Sequence, residues 1–375
     1  MRIAFVSDAA SPWHAGGVEY TERMEAEALA RRHDVHFFSF MWKGMAKEFT
    51  DKKINYHCSH YLTDNEFYRH NRRSIREAFY FSLICLRLFS ERFDIVQVNA
   101  FPILHLPLVK LYCKLTKCKL IMDVADVWDK KYWREYIGPF WGTFASIMSD
   151  WALRGADLYI ANPGEVYKSL VAIGVQKEKI HTFSPIIDSS FVSRINAKER
   201  KGLVVSIGRL VNYKRFDSVL YAVKAASERF PGINCAVVGE GPEEKNLKRL
   251  VRELGIESTA KIRGRYSDKL GLYSLIKSAS LMLNMSEREG LSVITLESLA
   301  LGTPVVLPSY STIPDIVKEM CVVCDVDDIP STIAKICNSK SKRAFIKNSR
   351  NLELFSTSKI DSFYNKIFRQ LGLHK

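Results

Sequence analysis

Four side chains in the second half of this 375-residue sequence have types and spacings suited to a polyanion that also carries hydroxyls. Arg209 and Lys214 sit in Gly208-Arg209-Leu210-Val211-Asn212-Tyr213-Lys214, directly after the apolar run Leu203–Ile207. An arginine can grip phosphate bidentately and a lysine acts as a point charge, so the pair can neutralise a diphosphate. Glu289 and Glu297 lie in Ser286–Pro304, with seven residues between them. The first falls in a loop and the second inside a helix expected to start near Leu291 or Ser292. The amides of Gly290, Leu291 and Ser292 are then free at a helix N-terminus, which binds anions. A carboxylate beside an anion site suits a ligand with both phosphate and hydroxyls. A nucleotide sugar is such a ligand.

These residues need strands to deliver them. Ser280–Met285 reads as a strand before the Glu289 loop, and Val305–Leu307 as one after the helix, which makes a βαβ unit. Asn234–Val238 is another strand, followed by the turn Gly239-Glu240-Gly241-Pro242. In the first half, residues 2–7, Asp34–Phe40, Asp94–Asn99, Lys119–Val124 and Ala156–Ala161 read as strands, with helices at Val18–Arg32 and over Glu66–Arg92. The alternation predicts doubly wound, mostly parallel sheets. The length fits two domains. The expected division is 1–185, a linker over 186–201, and 202–352, with a tail helix from about 353 to 375 returning to the first domain. That helical tail is expected to reach back as far as Phe345.

The first half has its own candidates. Gly16-Gly17 opens the first helix, where glycine lets a ligand approach the backbone. There is no Gly-x-Gly-x-x-Gly, so this is not the dinucleotide fingerprint. Asp123, Asp126 and Asp129 cluster at a strand's carboxyl end, where α/β sheets bind ligands; they suit helix capping equally well. Trp128–Trp151 holds four of the six tryptophans, and residues 65–120 carry ten Lys/Arg against four acidic residues. Such a surface suits an anionic membrane, or is a solvated basic face over ordinary core aromatics.

Glu289-x7-Glu297 followed by Ala-Leu-Gly-Thr-Pro-Val-Val resembles the signature of the family 4 retaining glycosyltransferases, and Gly208–Lys214 resembles their Gly-Arg-Leu-x-x-x-Lys motif. The resemblance implies the GT-B fold: α/β, with two Rossmann-like doubly wound domains facing a central cleft. It implies that Arg209 and Lys214 stabilise the leaving diphosphate, that Glu289 with Gly290, Leu291 and Ser292 holds the donor sugar, and that Glu297 takes the ribose. Gly208 and Gly241 would line the nucleotide, Arg265 and Tyr266 the base, and Gly16 and Gly17 the cleft. Asp123-x-x-Asp126, followed by Val-Trp, is similar to an Asp-x-x-Asp-Leu-Trp segment in one branch of the family, which makes Asp126 the acceptor-side candidate. The likeness is dense over 203–308 and thinner over 1–185. The donor would be a UDP- or GDP-sugar, the acceptor a glycan or lipid-linked hydroxyl, and no metal or other cofactor is required.

Composition sets the outer limits. With 47% hydrophobic and 26% charged residues the chain is globular, and no run approaches the ~18 apolar residues of a membrane span. The expected location is cytoplasmic, peripheral on the membrane if the basic aromatic half docks there. The eight cysteines are scattered, and Cys321-x-x-Cys324 lies in a strand-like run without a second pair, so they read as inert. The net charge of +14 calls for an anionic partner. A non-enzymatic nucleic-acid binder would satisfy it, but there is no recognisable nucleic-acid module and carboxylates sit among the cations. A sugar-nucleotide epimerase or hydrolase would share the donor half and differ in product.

Overall fold

A computed structural model describes residues 1–14, 16–63, 68–69, 72–266 and 268–373. It divides into two units, Met1–Pro185 with Thr357–Lys375, and Ile186–Ser356.

Unit 1 begins with β1 (Arg2–Val6), α1 (Gly17–Leu29), β2 (Asp34–Met41), β3 (Glu48–Asp51) and β4 (Ile54–Tyr61). A short hairpin of β5 (Tyr68–Arg69) and β6 (Arg72–Arg73) precedes α2 (Ile75–Ile84), which runs into a 3-10 turn, Cys85–Ser90. Then come β7 (Ile95–Asn99), α3 (Leu106–Thr116), β8 (Lys119–Val124), α4 (Lys130–Ile137), α5 (Pro139–Leu153), β9 (Leu158–Ala161), α6 (Glu165–Ala172) and β10 (Ile180–Thr182). The sheet order is β10-β9-β8-β7-β1-β2-β4-β3, parallel except for β3. Central strands such as β7, all five residues buried, read as unbroken apolar or semi-polar runs because helices cover both faces.

Unit 2 contains α7 (Ser189–Arg194), β11 (Leu203–Ile207), α8 (Phe216–Arg229), β12 (Asn234–Val238), α9 (Glu244–Glu253), β13 (Ala260–Arg263) and α10 (Lys269–Ser278). It continues with β14 (Leu281–Leu283), α11 (Val293–Ala300), β15 (Val305–Pro308), α12 (Asp315–Lys318), β16 (Val322–Cys324) and α13 (Ile329–Asn338). The order β13-β12-β11-β14-β15-β16 is parallel throughout. The last helix, α14 (Ile360–Gln370), packs in unit 1, where Phe363 stacks on Phe183 at 3.8 Å.

Three expectations change. The helix expected over Glu66–Arg92 starts only at Ile75, because Ser74 caps it: the Ser74 hydroxyl accepts from the Glu77 amide in a Ser-x-x-Glu capping arrangement. Glu66 and Phe67 themselves lie outside the described residues. The linker expected over 186–201 is not bare: Asp188 caps α7, and the Ile186 and Ile187 amides both donate to Phe355 O, at 2.9 and 2.8 Å. The tail from Phe345 is a string of 3-10 turns up to Lys359 and becomes α-helix only at Ile360. Lys342 anchors its start, donating to Lys277 O and Ala279 O at the end of α10.

Candidate functional site

In unit 2 the chain order reverses between β11 and β14, which lie side by side. Ligands of open α/β sheets bind outside the carboxyl ends of strands at such a switch point. The loops from these two strands carry Arg209 with Lys214 and Glu289 with Glu297's helix. They are tied together: the Glu287 amide donates to Tyr213 O at 2.9 Å, and Arg215 holds Glu287 at 2.5 Å and Asp217 at 3.1 Å. Lys214 Nζ forms an ion pair with Glu289, both side chains being mostly buried, and lies 5.8 Å from the Tyr213 ring centre. Arg209 is exposed on the same loop.

The turn after β12 packs backbone against the β11 loop. A Cβ on Gly239 would lie 1.8 Å from Gly208 O, and one on Gly241 2.3 Å from Leu210 O. Only glycine permits this approach, which the bonds Leu210 N to Glu240 O (2.9 Å) and Glu243 N to Leu210 O (3.0 Å) fix. Gly208 has no such crowding, its nearest neighbour being Phe216 at 3.6 Å. Arg265 is exposed in the loop after β13, and Tyr266 is partly buried against the unit 2 core.

Helix α11 begins at Val293, a little later than expected, because Ser292 occupies the left-handed region (φ 59°) as its N-cap. A non-glycine residue there needs support. Asn284 supplies it, donating to Ser292 Oγ and Thr295 Oγ1 at 3.2 Å each. Thr312 braces Glu289 from behind: its Oγ1 accepts from the Glu289 amide at 2.9 Å. Among the described residues the amides of Gly290, Leu291 and Ser292 have no intramolecular acceptor. Glu297, 7% exposed, accepts from the Tyr273 hydroxyl and meets Lys269 Nζ at 3.3 Å. Lys269 and Tyr273 escaped the reading of the sequence. Their spacing of four on a helix carries no signal until Glu297 is brought to them.

The carboxyl edge of unit 1 reverses order at β1, between β7 and β2. Gly16 caps α1, and the Glu19 carboxylate folds over it so closely that a Cβ would lie 1.9 Å from Glu19 Oε2. Gly17 begins the helix, and its carbonyl accepts from the Thr21 hydroxyl at 2.9 Å. The inward face of α1 is acidic: Glu19, Glu22 and Glu25 are all buried, at intervals of three. Glu22 accepts from Asn99 Nδ2 at 3.0 Å, and Glu25 from Gln97 Nε2 at 2.8 Å, with the Tyr364 hydroxyl of α14 at 2.7 Å. Burial and the nearby Asp123 carboxylate push Glu22 well above the usual carboxylate range, and Glu25 up to about 8; burial takes Asp123 to about 7. The Glu-x-x-Glu-x-x-Glu spacing was available in the sequence. Asp126 is exposed and accepts from Trp128 Nε1 at 3.0 Å, while Asp129 caps α4 through the Tyr132 amide.

Among the described residues one group could hold a metal ion: His36, His57 and Glu91, with ligand atoms within 4.8 Å of one another. It is built from the first half of β2, from β4 and from Glu91, and not from the carboxyl-edge loops; Arg2 already places a cation 2.5 Å from Glu91. All eight cysteines are free, and all but the half-buried Cys324 are buried.

Residues 189–352 match the family model described as glycosyl transferases group 1, and residues 15–191 that described as glycosyltransferase family 4. An uncharacterized glycosyltransferase of Haemophilus influenzae is 34% identical over 110 residues, 29% of this chain and 30% of that protein. A GDP-mannose-dependent alpha-(1-6)-phosphatidylinositol dimannoside mannosyltransferase of Mycobacterium tuberculosis is 30% identical over 164 residues, 44% of this chain and 41% of that protein. The matches span only about a third to under a half of these curated relatives. Among solved structures, Anabaena HepE in complex with UDP and glucose aligns with TM-score 0.69 at 16% identity, over 98% of this chain and 99% of that one. The chain belongs to glycosyltransferase family 4 and has the GT-B fold, with two Rossmann-like α/β units.

Proposed function

We propose that this chain is a retaining, metal-independent glycosyltransferase that moves a sugar from a UDP- or GDP-sugar to a hydroxyl of a lipid-linked or other glycan precursor. The observation that carries the reading is the Lys214–Glu289 ion pair at the β11/β14 switch point, beside the free amides opening α11. Without ligand each charge satisfies the other in a place where an unpaired charge is costly. When a donor arrives, Lys214 and Arg209 turn to the diphosphate. Glu289 is thereby released to accept from sugar hydroxyls, as Gly290, Leu291 and Ser292 offer their amides. Glu297, held by Tyr273 and Lys269, takes the ribose. Gly208 and Gly241 let the nucleotide approach the backbone, and Arg265 and Tyr266 flank the base.

In the reaction the glycosidic oxygen of the donor leaves with the diphosphate, and charge grows on its oxygens. Preorganised cations stabilise that charge by several kcal/mol at a water-poor site. Two cations and a helix N-terminus supply this without a metal. The acceptor hydroxyl attacks from the face the leaving group vacates and passes its proton to the departing diphosphate oxygen, which preserves the anomeric configuration. On the acceptor side Asp126 meets the incoming hydroxyl, and Gly16 and Gly17 line the approach. Glycosyltransferase membership, UDP with glucose on HepE and the GDP-mannose relative all support a nucleotide-sugar donor.

The test is a thermal-shift panel of nucleoside diphosphates and their sugars on wild type, Lys214→Ala and Glu297→Ala. A ligand at a hundred times its Kd adds about 2.7 kcal/mol of stability. Stabilisation by one nucleotide family, lost in both variants, supports the site and names the base. No shift with any nucleotide, alongside tight salt-sensitive binding to nucleic acid, sinks the reading.

A further inference from the structure

Three helices of unit 1 show large apolar side chains to solvent, and one of them, α5, is turned inside out. On α5 the buried positions are Gly142, Ser146, Ser149, Ala152 and Leu153, whereas Phe140, Trp141, Phe144, Ile147 and Trp151 are exposed, Phe140 by 76%. A helix resting on a sheet in water does the reverse. Helix α2 and its 3-10 extension expose Ile75, Phe79, Leu83, Leu86 and Phe89, and α3 exposes Leu111 and Leu115. Among the described residues these account for twelve of the thirteen exposed large apolar side chains of unit 1, so the exposure is concentrated on these helices.

An apolar groove of about 470 Å³ opens between α2 and α5. Ile75, Phe101, Pro102, Trp133, Trp141 and Phe144 are among its walls, and Trp141 and Phe144 belong both to the groove and to the exposed stripe. The groove also reaches Asp8, just past the carboxyl end of β1. The groove thus touches both the exposed apolar stripe and, at Asp8, the carboxyl edge of the sheet. That is the geometry needed by a molecule with a long hydrocarbon tail and a polar head.

Charge says which surface bears the tail. Lys110 Nζ sits 5.2 Å from the Trp151 ring centre and donates to Trp151 O at 3.2 Å. Exposed Lys114 and Lys117 continue that line past Leu111 and Leu115. At the other end of α5, next to Phe140, a hollow is lined by Lys130, Lys131 and Arg134 with the single acid Glu135. Cations bordering an aromatic stripe match an anionic headgroup layer above hydrocarbon. Among the described residues no helix is long and apolar enough to cross a membrane, so the helices would lie on it.

We propose that the groove between α2 and α5 holds the hydrocarbon chain of a membrane lipid that carries the acceptor, while the exposed faces of α2, α3 and α5 rest in the headgroup–acyl boundary of an anionic bilayer. The chain enters from the bilayer past Trp141 and Phe144, and its polar head emerges at Asp8. The proposal rests on the glycosyl-transfer reading and gives it an acceptor class.

The test uses the full chain and two variants. Phe140→Ser/Phe144→Ser/Ile147→Ser alters the surface, and Ala145→Trp fills the groove, since Ala145 is one of its walls. Co-sedimentation is measured with vesicles of phosphatidylcholine alone and with one-quarter phosphatidylglycerol. Groove occupancy is followed by tryptophan fluorescence with farnesyl phosphate, a soluble single-chain probe that reports through Trp133 and Trp141. Wild type should sediment with the anionic vesicles and weakly with the neutral ones, and the triple variant should partition at least ~10-fold less, each buried ring being worth about that much. Ala145→Trp should still sediment but lose saturable farnesyl phosphate binding.

Equal partitioning of wild type and triple variant, or farnesyl phosphate binding unchanged by Ala145→Trp, overturns the proposal. So does a dimer in sedimentation velocity that the triple variant dissolves, because a second copy then covers the face. The nucleotide thermal shift is run on the same variants. It should persist in all of them, and its absence even in wild type counts against the donor reading and not against this one.

Discussion

Helix α9 of unit 2 and helix α5 of unit 1 divide their residues in opposite ways. Helix α9 buries Leu247 and Val251 and shows water Lys245, Lys248, Arg249 and Arg252. Helix α5 buries glycine and serines and shows water phenylalanine and tryptophan. Buried acids follow the same contrast. In unit 2 Glu289 and Glu297 each lie against a lysine. In unit 1 Glu22, Glu25 and Asp123 crowd together, and burial drives them toward the protonated form. On the proposed reading, unit 2 keeps these charges ready to exchange partners with a polyanion. Unit 1 suppresses charge inside and presents hydrocarbon outside, an arrangement suited to a partner that is not water.

The comparison can be broken most sharply at Lys214. Lys214→Ala should leave the circular dichroism spectrum unchanged and lower kcat at least ~100-fold, because the departing charge loses a preorganised cation. Near-native turnover would remove the exchange of partners from unit 2. The next largest contrast is between two aliphatic truncations. Leu247→Ala should cost about 3 kcal/mol in urea unfolding, while Ile147→Ala, which is 65% exposed, should fall within about 0.5 kcal/mol. Equal costs would mean that α5 is an ordinary helix after all.

A pH experiment sharpens the contrast between the acids. Burial, with the nearby Asp123 carboxylate, pushes Glu25 up to about 8 in the folded chain, above the ordinary carboxylate range. A carboxyl with a raised folded pKa favours folding fully below the unfolded value and loses that favour as pH rises through the folded one. Wild-type Tm should therefore fall between pH 5 and 9, and Glu25→Gln should flatten the fall by roughly 2–4 °C for each kcal/mol of linkage removed. An unchanged slope would clear Glu25 of the role. The smallest effect is expected at Tyr273→Phe. Loss of the hydroxyl that donates to Glu297 should raise donor KM about 3- to 10-fold with little change in kcat, the worth of one hydrogen bond.

The sequence was most readable where strand, loop and helix follow at once. Leu203–Ile207 is buried on both faces, so it reads as a strand, and the next loop must then lie on the carboxyl edge with Arg209 and Lys214. Readability ended where a partner is distant in the chain. Glu25 meets Gln97 and Tyr364, which are 72 and 339 residues away, and no local pattern announces either. It also ended where periodicity is ambiguous in sign. The apolar positions 75, 79, 83, 86 and 89 form a helical stripe, and a stripe says only that one face differs from the other. In α2 and its extension that stripe faces out. The boundary at 74 was missed because a capping serine competes weakly, on paper, with a long run of good helix formers.

The cysteines are shared evenly between the units, 58, 85, 113 and 118 in one and 235, 321, 324 and 337 in the other. Burial raises the thiols of Cys58, Cys235 and Cys321 to about 12, so these three offer an alkylating reagent little thiolate at neutral pH. Reaction must then wait for local or global opening. Pulsed alkylation read by mass makes each unit its own clock: labels gained at 58 and 85 time the opening of unit 1, and those at 235 and 337 time that of unit 2. Nature has thus installed a native, unengineered reporter of which unit loosens first when a nucleotide or a bilayer is added or withdrawn.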